Sequence, residues 1–369
     1  MKQIHYLLIA LCIGLCTLGI VFSRNGILNV QIDTQVYVDQ IRYYNGEMDM
    51  TAQTELRSFK PFYGIVGSLL TPLVTEHQAI LIINLLFYFG IIIFSFFFLR
   101  EIGFTEKFAV IGSAWIATGY PLLKYGLALL TDISGWFFAL ATITVFLVGL
   151  RKNSSWLLVL SSCIAFVGSL CKETGVLGLF FAGVYLLSMF IYTKENKYIK
   201  NIVKITLPFV ILQSIFLYTL FNGSNSGISF LEWFLYNKEV VPSLYYTFYY
   251  FFFTEASTFS LLWVYVFYLI YTLFKRKITA PKEKYILGIS LLVATLPVLV
   301  WPMFLTRVLY IGYLAIVPCA LLGLYLWSSL NHDKVKTFYL LSILPVASSV
   351  TLFIIASGGS LFDVLKKLI

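Results

Sequence analysis

Residues 78–99 read QAILIINLLFYFGIIIFSFFFL, a run without a single charged side chain. A helix needs about 20 apolar residues to cross the ~30 Å hydrocarbon core of a bilayer, because each residue rises about 1.5 Å. Hydrophobic residues make up 60% of the 369-residue chain and charged residues 12%, against about 45–50% and about 25% in soluble domains. The run is therefore predicted to be a transmembrane helix in an integral membrane protein.

Similar apolar segments recur along the chain, so we expect an all-α polytopic membrane protein with about 11 transmembrane helices. The expected spans are 6–22, 78–99, 107–120, 132–150, 155–170, 175–192, 202–221, 258–274, 285–305, 308–330 and 337–356. No small-x-small cleavage site follows the first segment, and we interpret it as an uncleaved span.

The distribution of charge orients these spans. Most of the 26 basic residues fall in segments on the same side as the N-terminus. The positive-inside rule then places the N-terminus in the cytoplasm and the polar loop 23–60 on the extracytoplasmic face. The net charge of +9 is explained by this topology and by attraction to anionic headgroups, so no nucleic-acid partner is expected.

The composition argues against several kinds of site. The five cysteines show no C-x-x-C pair and the three histidines are scattered, so we expect neither a disulfide framework nor a protein-only metal site. The chain has no Walker loop and no G-x-G-x-x-G after a strand. A substrate donor must therefore come from the membrane or from outside the cell, and no cofactor is required.

The polar loop 23–60 is the richest in charge and the place where chemistry is most expected. It contains DTQVYVDQIRYY at 33–44, in which Tyr37, Ile41 and Tyr44 recur at helical spacing. This pattern predicts a short amphipathic helix lying in the membrane interface, with its rings at headgroup level. Asp33 at its start is either the N-cap of this helix or a catalytic carboxylate.

Two cations follow in the segment RSFKPFY at 57–63. Arg57 and Lys60 could bind an anionic headgroup or phosphate, because arginine and lysine are both strong phosphate partners. They could equally be interfacial anchors beside the aromatic residues.

Three later positions also carry charge at the outer ends of spans. Asp132 begins the fourth span, as a helix cap or as a carboxylate facing a polar cavity. Lys172 and Glu173 stand side by side in CKETG at 171–175, where the simplest expectation is an ion pair with each other or with a neighbouring loop. Arg307 could bind phosphate through its planar fork or reach lipid headgroups.

Taken in order, these features resemble a known family. The chain presents an aspartate after the first span with a tyrosine four residues on, R-x-x-K-P-F-Y at 57–63, REIGFT at 100–105, Thr131–Asp132, KETG at 172–175 and R-x-L-Y at 307–310 with a downstream proline. This ordered set resembles the polyprenyl-phosphate-sugar-dependent glycosyltransferases of the GT-C superfamily, nearest to the protein mannosyltransferase and aminoarabinose transferase branch. One departure is Thr34, where protein mannosyltransferases carry a glutamate after the aspartate.

The resemblance implies an inverting hexosyl- or pentosyltransferase that takes a single sugar from a polyprenyl-phosphate donor. Asp33 would be the general base on the hydroxyl of a glycan, lipid or protein acceptor, and Asp132 the second catalytic aspartate. Lys60, Arg307, Arg57 and Lys172 would bind the donor phosphate, and Tyr37 and Glu173 the substrates. The chain would form one membrane domain, with the core in 1–220 and helices in 221–369 completing the lipid-phosphate site. A divalent metal is compatible with this reading but not required.

Two other classes stay open. A polymerase or ligase of O-antigen or exopolysaccharide would use polyprenyl-pyrophosphate glycans and depend on arginines more than on Asp33. A lipid or glycan flippase or transporter would show inverted repeats and broken helices near the midplane. The absence of organelle signals favours a bacterial plasma membrane.

Overall fold

The computed structural model describes residues 2–31, 33–55, 57–223, 256, 258–276, 281–297, 309–330 and 335–357. Within these ranges the chain is a bundle of α-helices joined by short turns. The helices are α1 Lys2–Asn25, α2 Thr34–Tyr44, α3 Ala52–Glu55, α4 Phe62–Leu70, α5 Glu76–Glu101, α6 Glu106–Ala117, α7 Asp132–Arg151, α8 Ser155–Cys171, α9 Leu177–Thr193, α10 Asn196–Gly223, α11 Leu262–Arg276, α12 Lys282–Thr295, α13 Tyr313–Leu330 and α14 Val335–Ala356.

Each of the eleven expected spans overlaps a helix of the described chain, and residues 298–305 and 308 of two of these spans lie outside the described residues. Seven segments of the described chain are long and apolar enough to cross a membrane: they lie in α1, α5, α7, α9, α10, α13 and α14. The other four expected spans correspond to the shorter helices α6, α8, α11 and α12. The prediction of an all-α polytopic membrane protein is confirmed.

Helix α7 lies at the centre of the bundle. It packs against α5, α8 and α9, and most of its residues are buried. Glycines permit the close approaches around it: a Cβ atom at Gly178 of α9 would lie 2.5 Å from the carbonyl oxygen of Ala139. The first residue of α7 is Asp132, so the central helix brings that carboxylate to one end of the bundle.

The C-terminal helices pack into the same bundle. The indole of Trp115 in α6 donates to the carbonyl of Ser342 in α14 at 2.8 Å, and the hydroxyl of Tyr310 donates to the carbonyl of Ile116 at 2.8 Å. These bonds join the two parts of the chain that the sequence divides at residue 220. The separate roles expected for residues 1–220 and 221–369 stay a prediction.

The polar loop forms the predicted amphipathic helix, α2, but its apolar stripe faces the protein. Tyr37 and Ile41 are buried, and of the three spaced residues only Tyr44 is exposed. The reason is α4, which packs against α2: at Gly67 a Cβ atom would lie 2.5 Å from the side chain of Ile41, so the missing side chain leaves room for the isoleucine. Tyr37 and Ile41 therefore pack inside the protein, while Tyr44 keeps its ring on the surface.

Candidate functional site

The start of α2 is attached to the segment that leads into α7. The hydroxyl of Thr34 donates to the carbonyl of Leu129 at 3.0 Å, and the backbone N–H of Leu129 donates to the carbonyl of Asn29 at 3.0 Å. These bonds hold the residues beside Asp33 against the residues before Asp132. Two aspartates that are about a hundred positions apart along the chain thus share one end of the bundle.

Asp33 is paired with Arg57. The carboxylate oxygen Oδ1 accepts from Nη2 of Arg57 at 3.2 Å, and Nη1 of the same arginine donates to the hydroxyl of Tyr37. That hydroxyl also lies 2.9 Å from Oγ1 of Thr131. Asp33 occupies the position before α2, yet its side chain makes no capping hydrogen bond. The capping interpretation of its carboxylate is therefore wrong.

Lys60 is buried and in direct contact with Glu173. Its Nζ donates to Oε1 of Glu173, and the two side chains are 8% and 16% exposed. A buried lysine does not act as an interfacial anchor, because an anchor keeps its ammonium among headgroups. The other carboxylate oxygen of Glu173, Oε2, is buried and has no hydrogen-bond partner within the described part of the chain.

Asp132 pairs with Lys172. The Nζ of Lys172 lies 3.4 Å from Oδ1 of Asp132, whose side chain is 7% exposed. The segment that carries Lys172 fits against α7 at Gly135, where a Cβ atom would lie 3.0 Å from the Cβ of Lys172. Lys172 and Glu173 thus pair with two different elements and not with each other.

These side chains form one electrostatic cluster, defined here as Asp33, Arg57, Lys60, Asp132, Lys172 and Glu173. Burial lowers the pKa of the Lys60 ammonium well below its ordinary value of 10.5. The positive charges of Lys172 and Arg57 lower this pKa further, and the carboxylates of Asp132 and Asp33 act in the opposite direction. Because burial and like charges disfavour the protonated form, Lys60 loses its proton more readily than an ordinary lysine.

The structure thus brings together seven of the eight residues singled out in the sequence, six in the cluster and Tyr37 beside it. Arg307 lies outside the described residues. Tyr37 is buried, and its hydroxyl is engaged by Arg57 and Thr131, so it links parts of the site to one another. The catalytic and binding roles assigned to these residues stay predictions.

Sequence reasoning missed Asn84 and Tyr63, which lie directly behind the cluster. Asn84 is fully buried in α5, and its amide donates to the carbonyls of Ala128 and Leu130 at 2.7 and 2.9 Å. The hydroxyl of Tyr63 donates to Oδ1 of Asn84 at 2.6 Å. The available signal was the amide of Asn84 in the interior of the apolar run 78–99, where a polar side chain needs a partner.

The described residues do not fit a divalent metal site as they stand. No group of three or more His, Cys, Asp or Glu residues that could hold a metal ion occurs among them. The carboxylates of Asp33 and Asp132 face Arg57 and Lys172, whereas a metal site presents its oxygens to the cation. These described residues therefore pair with one another and do not form a divalent metal site.

The bundle has a GT-C-like fold, as the resemblance implied, and the similar solved structures do not distinguish the mannosyltransferase branch. Among solved structures, the chain is similar to the oligosaccharyltransferase of Archaeoglobus fulgidus in complex with Zn and sulfate, with a TM-score of 0.66 and 13% identity over 95% of this chain and 53% of that one. It is also similar to that organism's oligosaccharyltransferase AglB in complex with an inhibitory peptide and a dolichol-phosphate, with a TM-score of 0.62 and 12% identity over 97% and 56%.

A third similar structure is the same organism's oligosaccharyltransferase tethered to an acceptor peptide containing the NVT sequon, with a TM-score of 0.59 and 12% identity over 96% and 55% of the two chains. The chain spans a little over half the length of these proteins. No protein-family model matches the sequence, and no curated protein matches it. At this level of identity the likeness concerns the fold.

Proposed function

We propose that the protein is a membrane glycosyltransferase that moves a single sugar from a polyprenyl-phosphate donor to a hydroxyl acceptor, with inversion. The observation that carries this proposal is the cluster itself, in which carboxylates and cations from three separate segments meet at one end of a GT-C bundle. The positive-inside rule assigns that end to the extracytoplasmic face of a plasma membrane, which we expect to be bacterial.

The exposure of the three carboxylates supports a division of roles. The side chain of Asp33 is 36% exposed, whereas those of Glu173 and Asp132 are much more buried. A general base must reach the proton that it removes, and Asp33 is the carboxylate that an acceptor can reach. Its bond to Arg57, at 3.2 Å, is longer than the usual length of a charge-assisted bond, which is about 2.7–2.9 Å.

In the proposed reaction the acceptor oxygen attacks the anomeric carbon of the sugar as Asp33 takes the hydroxyl proton. The bond between the anomeric carbon and the phosphate oxygen breaks, and the electron pair leaves with the lipid phosphate. Lys60, Arg57 and Lys172 then stabilise the developing negative charge, because preorganised cations in a water-poor site oppose such charge strongly. Asp132 holds Lys172 in place, and Arg307 would add a further cation.

Charge balance favours a monophosphate donor over a pyrophosphate donor. The described part of the cluster contains three cations and three carboxylates, so its formal charge is balanced before any donor binds. A pyrophosphate would add more negative charge beside these carboxylates than a monophosphate would. The names of the similar structures, which are oligosaccharyltransferases, keep transfer of a whole lipid-linked glycan as the second candidate.

The test is a transfer assay in membranes with a panel of radiolabelled polyprenyl-phosphate sugars, comparing the wild type with Asp33→Asn. The asparagine keeps the shape of the side chain and cannot take the proton, so we expect a loss of about 10²–10⁴-fold in rate. Equal transfer by both proteins would remove Asp33 from the role of base. Turnover only with pyrophosphate-linked oligosaccharides would favour the second candidate.

A further inference from the structure

Two of the three charged pairs of the cluster, Lys60–Glu173 and Lys172–Asp132, depend on segments that one buried amide connects. Asn84 lies in α5 and is fully buried. An amide side chain has two donor hydrogens and one acceptor oxygen, and here all of these groups are used. The donors bind Ala128 and Leu130, and the oxygen accepts from Tyr63.

These bonds lead to two arms of the site, which are the segment 60–63 and the segment 128–132. Tyr63 belongs to the first turn of α4, three residues after Lys60. Leu130 is two residues before Asp132, and the intervening Thr131 touches the hydroxyl of Tyr37, to which Arg57 donates. Asn84 therefore joins the arm that carries Lys60 to the arm that carries Asp132.

Burial makes the hydrogen bonds of Asn84 costly to break. The carbonyl of Ala128 also accepts from the backbone N–H of Leu130 at 2.7 Å. The carbonyl of Leu130 belongs to a buried residue and accepts from Asn84, and a buried backbone carbonyl that loses a partner costs free energy. Burial also raises the pKa of Tyr63 well above its ordinary value, so its hydroxyl stays protonated and remains a donor.

We propose that Asn84 and Tyr63 are positioning residues, which hold Lys60 and Asp132 at the spacing that the lipid phosphate requires. Neither residue touches the substrate in this scheme. The inference rests on the proposed function for its consequence in catalysis, but the placement of Lys60 can be measured without any transfer reaction.

The chain offers a matched control on the same helix. Tyr88 follows Asn84 by one helical turn, is also fully buried, and donates its hydroxyl to the carbonyls of Gly14 and Ala117 at 3.3 and 3.4 Å. Tyr63→Phe and Tyr88→Phe each remove one buried hydroxyl and keep the ring, so their effects on packing are comparable. Only the first breaks the connection to Asn84, and Asn84→Leu breaks it from the other side.

The first measurement is the rate at which acetic anhydride acetylates Lys60 in the purified full-length protein, followed by mass spectrometry. We expect slow acetylation in the wild type and in Tyr88→Phe, since Lys60 is buried against Glu173. Acetylation should be at least about fivefold faster in Tyr63→Phe and Asn84→Leu, the factor that corresponds to one lost hydrogen bond. Thermal unfolding of each variant shows that the proteins compared are folded.

The second measurement is the KM for the donor in the transfer assay. A displaced Lys60 raises this KM by a similar factor, whereas a smaller fraction of folded enzyme lowers the maximal rate and leaves KM unchanged. Acetylation and KM in Tyr63→Phe and Asn84→Leu equal to those of Tyr88→Phe would overturn the inference. If the wild type transfers no sugar, the proposed function fails while the acetylation rates still decide the placement of Lys60.

Discussion

The contact between Lys60 and Glu173 makes a strong prediction about stability that is separate from catalysis. Lys60→Met removes the ammonium and keeps most of the volume of the side chain. Oε2 of Glu173 already has no partner within the described chain, and Oε1 is held by Lys60. The substitution therefore leaves a largely buried carboxylate without its cation.

Removing one partner of a buried ion pair costs about 3–5 kcal/mol. Because Glu173 keeps 16% of its side chain exposed, we expect the lower end of this range, ~3 kcal/mol. In the double variant Lys60→Met, Glu173→Gln the charge is gone, and the remaining cost is that of an imperfectly bonded amide, ~1 kcal/mol. The second substitution should thus restore about 2 kcal/mol of the free energy of unfolding.

The assay is unfolding of the purified protein in mixed micelles with increasing SDS, followed by circular dichroism. Lys197→Met is the control, since its pair with Glu195 is exposed on both sides, and it should unfold with the wild type. The double variant should regain stability and remain without transfer activity, because the phosphate still lacks Lys60. A single variant as stable as the control, or a double variant no more stable than the single one, would refute the buried pair.

Two further predictions use the same assays. Gly175→Ala places a Cβ atom 2.6 Å from the backbone of Gly168 and should lower the free energy of unfolding by about 1–3 kcal/mol. The control Gly183→Ala has nothing within 4 Å of the added atom and should be neutral or gain up to about 1 kcal/mol. Equal costs for the two variants would contradict the close helix contact at Gly175. The lowered pKa of Lys60 means that its positive charge is lost on raising the pH sooner than for an ordinary lysine, so donor KM should rise on the alkaline side. Lys60→Arg stays charged there and should abolish this rise, whereas an identical pH profile in both proteins would assign the titration to another group.

Much of the fold could be predicted because apolar runs of sufficient length have few alternatives to a membrane helix. The candidate site residues could also be predicted from the sequence, because charged side chains are rare in an apolar chain and usually have a function or a partner. The helix that packs against α2 could not be predicted from the sequence. The spacing of Tyr37 and Ile41 defines an apolar stripe, but such a stripe can face lipid or protein. Here it faces the protein, because Gly67 of α4 leaves room for the side chain of Ile41.

The ion-pair partners of Lys172 and Glu173 could not be predicted from the sequence, because they depend on the local backbone conformation. Lys172 has an extended backbone, with φ −158° and ψ 145°, and successive side chains of an extended segment point in opposite directions. Lys172 therefore turns to Asp132 at the start of α7, while Glu173 turns to Lys60, 113 positions earlier in the chain. Neighbours of opposite charge suggest a local ion pair when only their adjacency is known. Here the extended backbone at Lys172 points the side chains of Lys172 and Glu173 in different directions. One short segment can therefore contact both Asp132 and Lys60.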